Sequence, residues 1–378
     1  MFFNQSSPCF QRRSLLTGLL GGALGSCSKF ESEKNDLGIP RVELNIDVQD
    51  LSDIRGGFSK SVSRVCEITL NEKKLGLIDI RISGQISQFF AKKSFACKFV
   101  NKDQEVFGLR TFRLAAMPGD PSLCRAKLGY ELFSFLKFPV PSLYPVALFI
   151  NRDWIGLYHV MEDISSSFFS RRNIEIKEYY QSKSGTDYAP KSESDLKFQI
   201  DAEHGNSLYT RILDLHKVIW KMSPEDAVTR LDPIFDLNVA ARYYVGQTYM
   251  HHWDSFANNH YLYNSRQSNV LTILPWDLDK VFNNSRVVNL KGTNYLFDKL
   301  ISNPIFFEKC REYAALLHKT YTNRFLEEKL TSLMSAQQKA WELDRLPLAS
   351  FKTSKEAIQE ILDIAKNWFP VHKEFFKV

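Results

Sequence analysis

Four side chains that can bind protons or metal ions lie close together in the second half of the chain. Asp254 and Asn259 are five residues apart, and Asp277 and Asp279 follow within the same stretch. An aspartate carboxylate can accept a proton from a hydroxyl group, and carboxylate and amide oxygens are the ligands that Mg²⁺ prefers. The set therefore contains the groups needed to deprotonate an alcohol beside a bound divalent cation.

Two short apolar segments lie between these side chains and predict how they are held together. Residues 261–263 and 270–274 have the composition of strands, and the polar residues between them predict a hairpin. Protein kinases use the same order of groups: an aspartate that accepts the substrate's proton, an asparagine five residues later for a metal, and another aspartate after a strand. The alternative is that these are ordinary turn and cap residues.

A glycine-containing turn at Gly84 precedes a pair of lysines, Lys92 and Lys93, that opens a predicted strand. Backbone N–H groups in such a turn can approach a phosphate, and a lysine on the strand can reach the same phosphate. Because successive side chains of a strand point to opposite faces, only one of the two lysines can enter a cleft, and we expect it to be Lys92. The alternative is a solvated hairpin with two surface lysines.

The remaining elements follow from hydrophobic periodicity. Short apolar runs predict strands at residues 42–48, 65–70, 75–82, 94–100, 109–116, 144–150 and 155–161. Amphipathic segments predict helices at residues 122–136, 208–222, 234–250, 305–321, 325–343 and 354–369. The last of these strands ends in Glu162, which could face a cleft or cap the next segment. Residues 171–202 are polar and predict a mobile insertion.

Composition limits the class of protein and its partners. The chain has 378 residues, of which 44% are hydrophobic and 13% aromatic, as is typical of a folded globular protein. The formal net charge is +6 without any Lys/Arg-rich block, so we expect no nucleic-acid partner. The cysteines beyond residue 27 show no CxxC or Cys/His spacing, which argues against a zinc site.

The first residues have the features of an export signal. Arg12 and Arg13 precede a short Leu/Gly/Ala-rich segment that ends in Leu24-Gly25-Ser26-Cys27. The segment is far shorter than the ~20 apolar residues of a membrane-spanning helix. The arginine pair resembles a twin-arginine signal, and the Leu-Gly-Ser-Cys string resembles a bacterial lipobox, in which the cysteine is acylated.

We therefore expect residues 1–27 to be an export signal with a lipobox and residues 28–40 to be a tether. The mature protein would be a lipoprotein of the cell envelope, in the periplasm or at the cell surface, attached to the membrane through a lipid on Cys27. An ordinary N-terminal tail with an accidental arginine pair is the alternative.

Several separated motifs resemble the spore coat protein H (CotH) kinase family in order and approximate spacing. They are Gly84 and Ser87 before Lys92-Lys93-Ser94-Phe95, then Asp120 to Arg125, Asn151 with Gly156-Leu157-Tyr158 and Glu162, then Asp254, Asn259, Tyr261-Leu262-Tyr263 and Trp276-Asp277-Leu278-Asp279. The resemblance covers about residues 75 to 285, and the helical remainder suits the same family.

The resemblance implies an α/β (α+β) fold of the atypical protein-kinase-like, two-lobed type. A β-rich N-lobe would occupy residues 41–165, and a helical C-lobe with the polar insertion would occupy residues 166–378. It also implies a phosphotransferase that moves phosphate from ATP to protein serine or threonine. With the export signal, its substrate would be a protein in the cell envelope or outside the cell.

Carried over residue by residue, the resemblance implies Asp254 as the catalytic base. Asn259 and Asp277 would bind Mg²⁺ or Mn²⁺, and Asp279 would be an additional candidate ligand. The phosphates of ATP would be bound by Lys92 or Lys93, and Glu162 would lie at the nucleotide cleft between the lobes.

The chain departs from the family pattern around the glycine turn. The family usually has Arg or Lys before the glycine and Asn after it, whereas this chain has Ser83 and Gln85, and Ala91 replaces a usual proline. These departures bear on the geometry of the phosphate loop more than on the acids. Two alternatives to the kinase stay open. One is a catalytically inactive pseudokinase that acts as an envelope or surface binding or structural protein, and the other is a different phosphate-transferring enzyme on the same fold.

Overall fold

Alternation of buried and exposed residues builds the first sheet. In the strand that spans Lys73–Ser83, the side chains of Ile78, Ile80 and Ile82 are buried. Arg81 lies between two of these isoleucines and Lys73 begins the strand, and both face solvent. Because side chains of a strand point alternately to its two faces, one face of this strand lines an apolar interior. The neighbouring strands supply the rest of that interior, and most of its residues are Ile, Val, Leu and Phe.

Seven strands close into a barrel. They are β1 (Arg41–Asn45), β2 (Ser63–Leu70), β3 (Lys73–Ser83), β4 (Ser94–Phe99), β5 (Thr111–Ala115), β6 (Leu143–Ile150) and β7 (Asp153–Glu162). Their order around the barrel is β1-β2-β3-β4-β5-β7-β6, and β6 closes it by pairing in parallel with β1. The structure, a computed structural model, describes residues 36–56, 62–84, 89–183, 186, 188, 200–204, 210–286, 288–290 and 294–378, and all of these strands belong to the unit Gly38–Val378.

A second sheet and a set of helices make up the remaining described elements of that unit. The sheet has the order β11-β10-β8-β9, with β8 (Ile176–Ser182), β9 (Ile200–His204), β10 (His260–Ser265) and β11 (Leu271–Pro275). The helices are α1 (Val48–Gly56), α2 (Arg125–Phe135), α3 (Ser166–Ser170), α4 (Thr210–Lys221), α5 (Ala227–Leu231), α6 (Leu237–Tyr249), α7 (Tyr295–Ile301), α8 (Pro304–Thr320), α9 (Asn323–Leu343), α10 (Arg345–Leu348) and α11 (Ser354–Phe376).

Two glycines allow α2 to pack closely against the second half of the chain. A Cβ atom on Gly129 would lie 2.9 Å from Leu278 Cδ1, and one on Gly246 of α6 would lie 2.8 Å from Phe133 Cε1. Contacts this short are not tolerated between carbon atoms in a packed core, so both positions need a residue without a side chain. Helix α2 therefore packs directly against the Asp277-Leu278-Asp279 segment.

The mixed α/β fold is confirmed, and the predicted strands and long helices are present with ends that shift by a few residues. The two-lobed kinase arrangement stays a prediction. One expectation is wrong at the C-terminus, because α11 continues past Pro370 to Phe376. The turn after the proline buries His372 and Phe376, and this packing offsets the backbone hydrogen bond that proline cannot donate.

The predicted polar insertion also differs from the structure. Its first part forms β8, which pairs antiparallel with β10 and buries Tyr179 and Tyr180. The flanking lysine, glutamate and glutamine residues give this strand a polar composition that conceals it in the sequence. Residues 184–185, 187 and 189–199 of the insertion lie outside the described residues, as do the export signal with Cys27 and Gln85 to Ser87 of the glycine turn.

Candidate functional site

The β10–β11 hairpin brings Asn259 and Asp277 together. His260 pairs with Pro275 at the end of the hairpin, and the next backbone hydrogen bond runs from Trp276 N to Asn259 O at 3.0 Å. Both Asn259 (φ 57°) and Asp277 (φ 54°) adopt the left-handed conformation, which Asn and Asp tolerate better than most residues. The hairpin pairs Asn259 with Trp276, so Asp277 comes directly after the residue opposite Asn259.

Asp254 is held in the loop between α6 and β10. Its backbone carbonyl accepts a hydrogen bond from Asn259 Nδ2 at 2.9 Å, which closes the five-residue loop. Its carboxylate accepts one from Asn258 Nδ2 at 3.1 Å and one from Lys280 Nζ at 2.7 Å. Since Asn259 uses its amide N–H₂ on this loop, its Oδ1 atom is the one suited to bind a cation.

The second pair of acids lies on either side of a buried leucine. Leu278 is buried against α2, and Asp277 and Asp279 flank it in the sequence. Asp277 is exposed to solvent at its surface, with protein atoms packed around the rest of the residue. Asp279 is half-buried, and its Oδ2 lies 3.2 Å from where a Cβ on Gly119 would be, so the turn at Gly119 packs against this carboxylate.

Burial and mutual repulsion raise the pKa of both acids. For Asp277, burial is the main cause, Arg113 and Lys280 oppose it, and the charge of Asp254 adds to it. The pKa of Asp279 is raised well above its ordinary value by burial first and then by the charge of Asp277. Asp277 and Asp279 are therefore close enough to Asp254 and to each other to form one acidic cluster, which a bound cation would stabilise.

Two cations that the sequence motifs do not include also face this cluster. Burial alone would lower the pKa of Lys280, but its hydrogen bond to Asp254 and the nearby carboxylates raise it. The guanidinium of Arg113 on β5 is bound by Asp163, with Nε–Oδ1 at 3.0 Å, and lies 5.0 Å from the centre of the Trp276 ring. Lys280 could have been noticed from its position next to Asp279, whereas nothing in the sequence singles out Arg113.

The structure does not place the lysine pair in a strand. Lys92 and Lys93 lie in the bend before β4, which begins at Ser94, so the argument from strand alternation does not apply. Lys92 Nζ donates to Asp344 Oδ2 at 2.6 Å and to the Leu157 carbonyl at 2.7 Å. Its phosphate-binding role stays a prediction, and its partners in the structure belong to β7 and to the end of α9.

Gly156 of the Gly-Leu-Tyr motif makes room for this lysine and its partner. A Cβ on Gly156 would lie 2.5 Å from Asp344 Oδ2 and 3.0 Å from Lys92 Cε, and its φ of 142° also favours glycine. The next residue, Leu157, donates its N–H to Asp344 Oδ2 at 2.6 Å. The motif therefore has a structural explanation: it receives the carboxylate that joins the barrel to the C-terminal helices.

Glu162 at the end of β7 is also engaged in ion pairs. It is 2% exposed, and its carboxylate accepts hydrogen bonds from Arg172 at 2.7 and 3.1 Å and from Ser142 N at 3.0 Å. Arg171 lies 3.4 Å from the same carboxylate. These contacts fix the end of the barrel strand, and the proposed position of Glu162 at a nucleotide cleft stays a prediction.

The Asp120 to Arg125 motif fixes the turn before α2 and the segment that follows Asp279. Asp120 is buried and accepts the N–H groups of Ser122 and Arg125 at 3.0 and 2.8 Å, which organises the turn before α2. Arg125 is only 1% exposed and donates to the Phe282 carbonyl at 3.1 Å. The sequence alone allows Arg125 to face a cleft or solvent, but the structure uses it to hold the segment just after Asp279.

The donor set can be tested against a divalent metal. In the described part of the chain, no group of three or more His, Cys, Asp or Glu side chains is arranged to hold a metal ion. Mg²⁺ is commonly bound by one or two carboxylates together with water and substrate phosphates, so three acids are not required. Asp277, Asp279 and Asn259 Oδ1 supply hard oxygen donors of the right kind, and the repulsion between the two acids fits a cation between them.

Comparison with known proteins decides the family. Residues 80–369 match the family model described as CotH kinase protein. The chain belongs to the CotH kinase family. This membership indicates kinase or transferase chemistry and places both the lysine bend and the acid cluster inside the region common to CotH kinase proteins.

One relative and one solved structure illustrate how far the similarity extends. The inner spore coat protein H of Bacillus subtilis strain 168 is 22% identical over 320 residues, which cover 79% of this chain and 87% of that protein. A complex of the Shewanella oneidensis MR-1 toxin–antitoxin proteins HipA and HipB with operator DNA gives a TM-score of 0.36 at 9% identity, covering 90% of this chain and 74% of that chain. The latter similarity is too low to support an argument.

Among the described helices, none has the length and hydropathy needed to cross a bilayer.

Proposed function

We propose that this CotH family member is a kinase-like phosphotransferase that moves the γ-phosphate of ATP to serine or threonine of a protein. The observation that carries the proposal is the grouping of Asp254 with Asp277, Asp279 and Lys280 at the end of one hairpin. A solvent-accessible carboxylate beside a pair of metal-binding acids is the arrangement that phosphoryl transfer to a hydroxyl group requires.

Asp254 acts as the base in this proposal. Its two carboxylate oxygens accept hydrogen bonds from Asn258 and Lys280, so the side chain has a fixed direction. It accepts the proton of the substrate hydroxyl as the hydroxyl oxygen bonds to phosphorus. Asp277, Asp279 and Asn259 would hold Mg²⁺ or Mn²⁺, which when bound neutralises charge on the phosphate oxygens.

The division of roles predicts different behaviour for two variants. Asp277→Ala removes a metal-directed carboxylate and should weaken binding of ATP in the presence of Mg²⁺, whereas Asp254→Asn keeps the shape of the side chain and should leave that binding nearly intact while lowering turnover. Isothermal titration of both variants with ATP and Mg²⁺ measures the difference. Equal loss of affinity in the two would show that the roles are assigned wrongly.

A second candidate is a catalytically inactive family member that binds partners through the same fold. The observation that favours it is the pairing of Lys92 with Asp344 and of Glu162 with Arg172, because both side chains expected at a nucleotide are already engaged. Binding of ATP without transfer to any protein, or no binding at all, would support this candidate over the kinase.

The location outside the cytoplasm is proposed from the sequence alone. Arg12-Arg13 and the string ending in Cys27 support export and acylation, which would tether the enzyme to the membrane. Cys27→Ala should move the protein from the membrane fraction to the soluble fraction. Unchanged fractionation of this variant would remove the lipoprotein proposal, and replacing both arginines by lysine tests the export route separately.

A further inference from the structure

Lys280 occupies an unusual position next to the proposed catalytic base. Its Nζ donates to Asp254 Oδ2 at 2.7 Å and lies 4.7 Å from the centre of the Trp253 ring. Among the described residues this is the only hydrogen bond that its ammonium makes, so two of its three N–H donors have no acceptor within that part of the protein. The side chain is 30% exposed, which leaves it open to a ligand.

An ordinary surface ion pair would not explain this arrangement. Lys329 and Glu131 form such a pair at 3.0 Å, with side-chain exposures of 34% and 28% that resemble those of Lys280 and Asp254. The Lys280 pair differs because its partner is the residue proposed to accept a proton. An ammonium group held 2.7 Å from that carboxylate is also placed to stabilise charge that develops on the transferred group.

The transferred phosphoryl group is the charge within reach. The attacking hydroxyl must lie at hydrogen-bond distance from Asp254, and its oxygen attacks the γ-phosphorus. A donor held 2.7 Å from the same carboxylate is therefore close to the γ-phosphoryl oxygens. Arg113, the other cation of the cluster, is already fixed by Asp163 through two contacts, at 3.0 and 2.9 Å. Of these two cations, Lys280 is the one with N–H donors that no acceptor in the described residues uses.

We infer that Lys280 is a catalytic residue whose ammonium contacts a γ-phosphoryl oxygen of ATP while it is hydrogen-bonded to Asp254. This inference rests on the proposed kinase function. In the step, the substrate O–H bond breaks and its proton passes to Asp254, the substrate oxygen bonds to the γ-phosphorus, and the bond from that phosphorus to the ADP oxygen breaks. Lys280 neither gains nor loses a proton. As Asp254 becomes neutral, the ammonium shifts its interaction toward the phosphoryl oxygens.

The inference predicts a preference for ATP over ADP that depends on Lys280, because ADP has no γ-phosphoryl group. Titration calorimetry of the full chain with ATP or ADP, each with Mg²⁺, should show that Lys280→Met weakens ATP binding about 10- to 100-fold, as expected for loss of one charged hydrogen bond. ADP binding should stay within about 2-fold. Lys329→Met, at the matched surface pair, should change neither, and Lys280→Arg should retain part of the preference for ATP.

The possible outcomes separate this inference from the function on which it rests. If the wild-type protein binds neither nucleotide, the proposed function and the inference both fail. If it binds ATP but Lys280→Met loses ATP and ADP affinity equally, or loses neither, only the inference fails. Thermal melting of each variant shows whether it is folded. Should Lys280→Met not fold, the comparison is made with Lys280→Arg and Lys280→Gln, and an identical ATP-to-ADP ratio in these two overturns the inference.

Discussion

The ion pair between Lys92 and Asp344 is expected to stabilise the fold, and Lys92→Met tests this directly. The two side chains are 10% and 2% exposed and their charged atoms are 2.6 Å apart. The same Asp344 oxygen accepts the N–H of Leu157, while the other accepts that of Leu346 at 2.9 Å. One carboxylate thus connects the bend before β4, strand β7 and the end of α9.

The size of the effect follows from burial. Lys92→Met keeps the length of the aliphatic stem but leaves the Asp344 carboxylate buried without its cation. Removing one partner of a buried ion pair costs about 3–5 kcal/mol, because the remaining charge loses its compensation, whereas a surface pair contributes about 0–1 kcal/mol. We therefore expect the free energy of unfolding to fall by about 3 kcal/mol or more. Lys98→Met, at an exposed position of β4, is the control and should lose about 1 kcal/mol or less.

Urea denaturation of Lys92→Met, Asp344→Asn and the double variant measures this coupling. The loss of stability in the double variant should be smaller than the sum of the two single losses, by at least about 1 kcal/mol. The reason is that the second substitution removes a charge that the first left unpaired. Additive effects, or losses below about 1 kcal/mol in both single variants, would refute the reasoning. Activity loss in Lys92→Met at unchanged stability would instead favour the phosphate-binding role.

Two further predictions concern packing and pH. Gly129→Ala places a methyl group 2.9 Å from Leu278 Cδ1. It should lower the free energy of unfolding by about 1–3 kcal/mol and displace the acids beside Leu278. The control is Gly56→Ala, because a Cβ atom there would meet no other part of the described chain within 4 Å. Burial, and secondarily the charge of His318, lower the pKa of His372 well below its ordinary value. The unfolded chain therefore binds more protons below about pH 6.5, so stability present at pH 7.5 is lost as the pH falls. His372→Gln should reduce the loss between pH 7.5 and 5.5 by about 1 kcal/mol, and an unchanged pH profile in thermal melts would contradict this.

The regular parts of the fold were predictable because they follow local periodicity. Alternating isoleucines marked β3, and spacings of three and four marked α2 and the long C-terminal helices. The closure of the barrel was not predictable, because the parallel pairing of β1 with β6 joins segments about a hundred residues apart and leaves no local signal. The strand β8 was missed because its two buried tyrosines are flanked by charged residues.

Within the candidate site, the acids were easier to predict than the cations. Asp254, Asn259 and Asp277 come from one continuous segment, so a hairpin prediction was enough to bring them together. The lysines were placed in a strand by composition alone, but the chain bends there and Lys92 reaches Asp344, a residue far away in sequence. Arg113 approaches the cluster from the barrel, a contact that no sequence pattern encodes.

The most direct test of the central claim is transfer of labelled phosphate from ATP. The purified chain, incubated with labelled ATP and Mg²⁺ or Mn²⁺ alone and with envelope proteins, should show phosphate on serine or threonine by mass spectrometry. Asp254→Asn should bind ATP nearly as well as the wild-type chain but transfer phosphate about 100-fold more slowly or worse. Transfer by Asp254→Asn at the wild-type rate would contradict the assignment of Asp254 as the base, and absence of transfer by the wild-type chain to any protein would contradict the kinase function itself.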